Sequence, residues 1–329
     1  MLDIRKLLAV MIGLILLAGI IWYLAFKKAV RTINIARMTA GSTHEDEENT
    51  ELRQRAGDAL YGIGRNIDIA LAEDLYRQAY ANGDRLAGAH LGLLLRDLPS
   101  TDERIDERTQ LFNDCDETVT ALCVTGNPEA NYVYTAYRYE LDLSEKMQEA
   151  VRQSLRDSCQ KDYPPALHLQ GKLYQTAKLY EQDYSQALHW YTLCHEAGCI
   201  KGTSRLGGMY ARDKHEWFDA ERGLALLEEG VAGNDEYAQL RLSVHYRFGS
   251  LVEEDLPRGR SLLESSARQG NEIAMRLLAA MQMRGEGGPV DLPAARDNIE
   301  MAMLDGSGPK EEELLAELEE LEAAAAVAD

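Results

Sequence analysis

Catalytic signatures are missing from this chain: it has no glycine-rich phosphate loop, no HExxH and no GxSxG, and its seven histidines lie scattered. No enzyme is expected and no cofactor is implied. Positive charge is also scarce. Against 55 Asp plus Glu stand 35 Lys plus Arg, a formal charge of -20, which opposes nucleic-acid binding by counterion release and leaves a basic or neutral protein as the expected partner. No small-molecule substrate is predicted. Proline is rare inside the helical patterns and falls near their starts, at Pro128, Pro164, Pro257 and Pro293, where its missing N–H costs least. No strand pattern competes, so the expected fold class is all-α. What the chain does have is apolar material, 45% of 329 residues, enough to bury a core without disulfide staples.

The ends differ from the middle. After a short tail, residues 1–6, comes an uncharged apolar run, residues 7–26, about the length a helix needs to cross a bilayer at roughly 1.5 Å per residue. It reads as a transmembrane helix rather than a cleaved signal peptide, since no small-x-small site precedes Lys27. Arg5 and Lys6 flank one end and Lys27, Lys28, Arg31 and Arg37 the other, which by the positive-inside rule leans toward a cytoplasmic body. A single N-terminal span in a bacterial inner membrane more often exports the body attached to it. The periplasm is therefore the expected side, with the cytoplasm left open. Residues 27–50 form a basic juxtamembrane segment and an acidic linker.

Between residues 51 and 308 the chain repeats itself. Turn-like positions Gly83, Gly126, Asp162, Gly198, Gly233, Gly270 and Gly306 stand 43, 36, 36, 35, 37 and 36 residues apart, the signature of a solenoid. Other columns keep this beat. Seven places before each joint stand Tyr76, Val119, Leu155, Tyr191, Leu226, Leu263 and Ile299. Fifteen before stand Asp68, Asp183, Asp255 and Asp291, helix-cap candidates, with Asp219 one place out of step. Four after come Ala87, Ala130, Ala166 and Ala274, with Gly202 at the same place in another unit; small residues there let helix backbones approach. Each unit reads as helix, loop, helix, its joint residue in the left-handed conformation. About seven residues are inserted near Pro99 to Arg108.

The stretch Asp183 to Tyr210, DYSQALHWYTLCHEAGCIKGTSRLGGMY, resembles a Sel1-like repeat, whose pattern runs D-x-x-x-A-x-x-W-Y-x-x-A-A-x-x-G and then A-x-x-x-L-G-x-x-Y. Weaker copies occur at Gly83 to Gly92, Asp162 to Tyr174 and Asp291 to Gly306. The resemblance implies an alpha-alpha superhelix related to tetratricopeptide repeats and used as an adaptor for other proteins. It also implies that the first helix of each pair lines a concave face, which makes Tyr132, His168, Arg205, Arg241 and Arg276 the candidate partner-binding residues. Residues 309–329 form an acidic helix, with Leu314, Leu318 and Leu321 on one stripe, expected to cap the last unit.

Some exported relatives carry disulfides between cysteines eight apart, so the five cysteines need a reading. Cys115 and Cys123 have that spacing but fall on one helix, about 12 Å apart at 1.5 Å per residue, beyond bridging range. Cys123, Cys159 and Cys194 occupy small packing positions, and Cys194 with Cys199 is the one pair placed to form a disulfide across a turn. His189, Cys194, His195 and Cys199 invite a zinc reading, but five positions along a helix put His189 and Cys194 on different faces, so no metal is expected. Two functions remain: a membrane-anchored scaffold acting through its concave surface, or a disulfide-stabilised periplasmic envelope protein that binds a cell-wall or polysaccharide component.

Overall fold

The computed structural model describes residues 44–304 and 308–328. Residues 7–26, expected to span a membrane, lie outside the described residues, as does Gly306; among the described residues no helix is long and apolar enough to cross a membrane. Residues 49–329 form one compact unit, and of the other unit, residues 1–48, only the opening of the first helix is described.

Among the described residues the chain is all-α, a solenoid of antiparallel helix pairs. Its helices, in chain order, are α1 (His44–Tyr61), α2 (Ile69–Ala81), α3 (Arg85–Arg96), α4 (Asp102–Val124), α5 (Pro128–Arg138), α6 (Glu145–Cys159), α7 (Pro164–Thr176), α8 (Tyr184–Glu196), α9 (Ile200–Tyr210), α10 (Ala220–Ala232), α11 (Glu236–Phe248), α12 (Leu256–Arg268), α13 (Glu272–Arg284), α14 (Leu292–Ala302) and α15 (Pro309–Ala328). Helix α1 begins inside the stretch read as linker. Asn49, in its second turn, is buried and accepts from the Asn82 side-chain amide at 3.0 Å, which ties that turn to the end of α2.

The aspartates cap as the spacing requires. Asp68, Asp183, Asp219, Asp255 and Asp291 accept from the backbone N–H of Leu71, Gln186, Arg222, Arg258 and Ala294, each at 2.9 to 3.0 Å. Each of these bonds is worth about 1 kcal/mol. The same aspartates donate their own N–H groups backward, to the carbonyls of Ala59, Tyr174, Tyr210, Tyr246 and Gln282. One residue therefore starts one helix and holds the end of the one before.

One joint falls elsewhere than expected. Gly83, Gly126, Asp162, Gly198 and Gly270 all have positive φ, but Gly233 does not (φ -78); the left-handed residue is Asn234, at φ 62. Asparagine tolerates this region because its short polar side chain can bond locally. With the joint at Asn234, Asp219 is back in step and the intervals on either side become 36 residues each. The apolar column then holds Leu227, fully buried like Tyr191 and Leu155. The small column gains Ala238, fully buried like Ala87, Ala130, Ala166 and Ala274.

The insertion near Pro99 lengthens a helix. Helix α4 runs 23 residues where most of its counterparts run 13, because no Asp interrupts it at the usual cap position and Thr101 caps it instead, accepting from Arg104 N–H at 3.3 Å. At the far end, α15 lays Leu318, fully buried, among Ala279, Met283 and Ile299, with Leu314 partly covered and Leu321 exposed. Arg276, Arg284 and Arg296 hold it through Glu311, Glu317 and Glu322.

Candidate binding site

The inner wall is built from the helices that follow each joint. A cavity of about 330 Å³ lies between α7, α9 and the starts of α11 and α13 on one side, and Leu60, Leu94 and Leu98 on the other. It meets a larger, more open cavity of about 1030 Å³, the two sharing Ile69, Leu98, Gln269 and Gly270.

The N-terminal loop shapes this wall in a way the repeat spacing does not disclose. Residues 62–68 reach across to joints far along the chain: Ile67 N–H donates to the Gly233 carbonyl at 2.9 Å, the Asn234 side chain to the Ile67 carbonyl at 3.0 Å, and Ile200 N–H to the Gly62 carbonyl at 3.4 Å. Gly62 sits so close to Ile200 that a Cβ would stand 2.7 Å from the isoleucine's own, and its φ of 68 independently favours glycine.

The five predicted binding residues do not form one surface. His168 and Arg205 line the same cavity. Tyr132 does not: it is 7% exposed, its hydroxyl bonds that of Tyr61, and its ring packs edge-on to Tyr163 and against His90. Burial is the main reason its phenol is pushed up to about 12. Arg276 is engaged by Glu311 of α15 at 2.5 Å. Arg241 is half-buried on α11, its Nε unpartnered among the described residues. Arg205 and Arg241 both stand seven places after their joints, in a column that holds buried Val133 and Leu169 in other units, whereas the other three stand six places after.

Sequence spacing gave no sign of Lys172 and Lys201, which also line the cavity. They lie one turn from His168 and Arg205 respectively, so each pair shares a face of its helix. Lys201 Nζ is 5.2 Å from the centre of the Tyr61 ring, and the Arg205 guanidinium lies 3.9 Å over Tyr237, in the range of cation–π attraction. Burial first, and then the positive charges of Arg205, Lys201 and Lys172, push the His168 imidazole well below its ordinary value, and its Nε2 has no hydrogen-bond partner. At the adjoining start of α11, Asp235 caps the helix through Ala238 N–H at 2.8 Å, and burial followed by neighbouring Glu236 raises its carboxyl to about 7.

The cysteines are all free thiols. Cys115 and Cys123 share α4, as the spacing requires. Cys194 takes the place held by Ser158 and Ser266 in other units. Its thiol donates to the Pro164 carbonyl at 3.4 Å, as those hydroxyls donate to the carbonyls of Pro128 and Glu236. Cys199 stands where Asp84, Asn127, Asp235 and Asn271 cap their helices, and its thiol reaches the Tyr61 carbonyl at 3.5 Å. The Cys199 backbone N–H donates to the Cys194 carbonyl at 3.2 Å, which sets the two residues side by side across the turn. No group of three or more candidate metal ligands occurs among the described residues.

Helix pairs of this length, with Asp caps and small residues at fixed offsets, match a known repeat: the Sel1 repeat model fits residues 55–84, 164–193, 236–271 and 273–307. The chain carries Sel1 repeats. A Sel1 repeat protein from Oxalobacter formigenes has a similar crystal structure, 22% identical, with a TM-score of 0.50 over 86% of this chain and 79% of that one. The protective antigen c5321 of uropathogenic Escherichia coli, described as displaying an SLR fold, is 23% identical, with a TM-score of 0.42 over 80% of this chain and 55% of that one. At 22% identity the likeness to the Oxalobacter formigenes protein is one of fold. No curated protein matches the sequence. The Sel1 fold is typical of protein-interaction scaffolds, and its repeats are generally non-catalytic.

Proposed function

We propose that this protein is a membrane-anchored scaffold, held by residues 7–26 in a bacterial inner membrane, whose Sel1 solenoid recruits another protein through its inner wall. The observation that carries the reading is the pair of joined cavities lined from several successive units, a surface that exists only because the helix pairs stack. The body is assigned to the periplasm. Reporters active on only one side of the membrane, fused to the C-terminus, test this assignment, and activity of a cytoplasm-only reporter would reverse it.

The binding reading is tested with a photo-reactive amino acid at Ile273, which is 49% exposed in the smaller cavity. In cells it should crosslink a discrete protein, whereas the same group at Phe248, exposed away from both cavities, should not. Equal labelling from both positions would remove the inner wall as the binding surface. The adjacent thiols of Cys194 and Cys199 favour a second reading, an envelope protein that binds a wall or polysaccharide component and is locked by that disulfide after export. Retention on purified peptidoglycan, lost on reduction, would select it.

A further inference from the structure

The smaller cavity is lined by three cations, Lys172, Lys201 and Arg205, that form no ion pair among the described residues. In a chain where acids outnumber bases, several half-buried basic side chains stand against carboxylates: Arg53 against Asp84 and Glu129, Arg77 against Glu107, Arg247 against Glu286. Lys172, Lys201 and Arg205 have no carboxylate oxygen of any described residue within 4.0 Å. They face a common space at half-buried positions, where attraction is less screened than at the surface. The acids around that space are differently placed. Asp97 meets Arg96 at 3.2 Å, Asp235 is committed to capping α11, Glu272 has an interaction of its own, and Glu236 keeps a buried Oε2 with no hydrogen-bond donor.

A cavity that sets these cations beside an acceptor without a donor fits a ligand that brings a carboxylate and N–H donors together. We propose that it binds an acidic segment of a partner protein in extended form, with an Asp or Glu carboxylate between Lys201 and Arg205 and a backbone N–H on Glu236. Lys201 and Arg205 are four apart on α9, so both can reach one carboxylate. A phosphate dianion fits less well, because Asp235 and Glu236 would repel its second charge. The apolar side chains Leu60, Leu94 and Leu98 flank the site, and the larger cavity continues from it, giving an extended chain room on either side. This inference rests on the scaffold reading and refines it: net charge favours a basic or neutral partner overall, whereas this cavity selects a local acidic stretch on it.

The test uses the full chain in detergent and a fluorescein-labelled, end-capped hexapeptide of alternating Glu and Leu, read by anisotropy. The Glu peptide should bind saturably, and its Gln counterpart at least about tenfold more weakly, a difference of about 1.4 kcal/mol. Lys201→Gln with Arg205→Gln should cost a similar factor, whereas Lys214→Gln, on an exposed loop, should cost none. The comparison of the two peptides on the unaltered protein stands even if the double variant folds poorly. Equal binding of the two peptides, or no binding of either at about 1 mM, would overturn the proposal, as would inorganic phosphate displacing the peptide at lower concentration than free glutamate does. Crosslinks from Ile273 that persist while the Glu peptide fails would leave the scaffold reading standing and remove this refinement alone.

Discussion

The side-chain amide of Asn234 donates to the carbonyl oxygen of Ile67, 167 positions earlier in the chain, at 3.0 Å. Asn234 is also the left-handed joint between α10 and α11, at φ 62. One side chain thus ends a helix and tethers the N-terminal loop across the inner wall.

These two roles can be separated by substitution. Asn234→Gly keeps the left-handed turn and loses the tether, so it should cost about 1 kcal/mol, the typical net worth of one hydrogen bond. Asn234→Ala loses both, and the added strain of a left-handed residue with a Cβ brings the cost to about 2 kcal/mol or more. Urea unfolding would measure the two. Alanine no worse than glycine would mean that the joint relaxes out of its left-handed conformation.

Glu129 makes stability depend on acid. Burial alone would raise its pKa, but the adjoining His90, with Nε2 at 2.9 Å, and then Arg53 at 2.8 Å outweigh that effect and hold it at about 2. Because the folded value lies below that of the unfolded chain, the contribution is complete above about pH 4.5 and is lost as pH falls toward 2. A shift of this size is worth on the order of 3 kcal/mol. The urea midpoint of the native chain should therefore drop steeply between pH 5 and pH 3, more steeply than that of Glu129→Gln. Parallel profiles for the two proteins would assign the acid sensitivity to other carboxylates.

How much of this was legible in the sequence depends on how local each cause is. The aspartate caps, the buried alanines and the apolar column are set within one helix pair, so a period of 36 exposes them. The Asn234 joint was hidden because asparagine can do there what glycine does, and Gly233 beside it drew the register one place away. Asp219, out of step, was the visible sign of that error. The reach of residues 62–68 to residues 199–200 and 233–234 depends on how successive units rotate, which no single unit encodes. The five binding candidates span two columns, and Tyr132 belongs to an aromatic core with Tyr61, Tyr76, His90 and Tyr163 rather than to a groove. Lys172 and Lys201 were missed because a lysine on a helix face reads as solvated until its neighbours are known.

The glycine of the repeat motif has a steric cause that can be tested. At Gly207 a Cβ would stand 2.9 Å from the backbone nitrogen of Leu227 and from the Leu226 Cβ, and at Gly171 it would stand 2.6 Å from the Tyr191 ring. The first obstacle includes backbone, the second is a ring that can tilt. Gly207→Ala should force α9 and α10 apart at about 1–3 kcal/mol, the usual cost of overpacking, and Gly171→Ala should cost less. Thermal unfolding would rank them, and the reverse order would show that the Tyr191 ring is the more tightly held of the two.

Cys194 and Cys199 should form the one disulfide this fold allows without unfolding. They sit at the end of α8 and the start of α9, on either side of the left-handed Gly198, and each thiol acts on the other, raising Cys194 and lowering Cys199. Cys115 and Cys159 are buried and Cys123 is half-buried, and desolvation pushes each thiol up to about 12, so little thiolate is present to attack an oxidant near neutral pH. Diamide would take up the two electrons and two protons released as the sulfur–sulfur bond forms. Peptide mass mapping after its use on the folded protein should find Cys194 joined to Cys199 and three thiols still free. A bridge that includes Cys115 or Cys159 would require a pair of helices to separate, and its appearance at low diamide would mean that the solenoid opens far more readily than its buried columns imply.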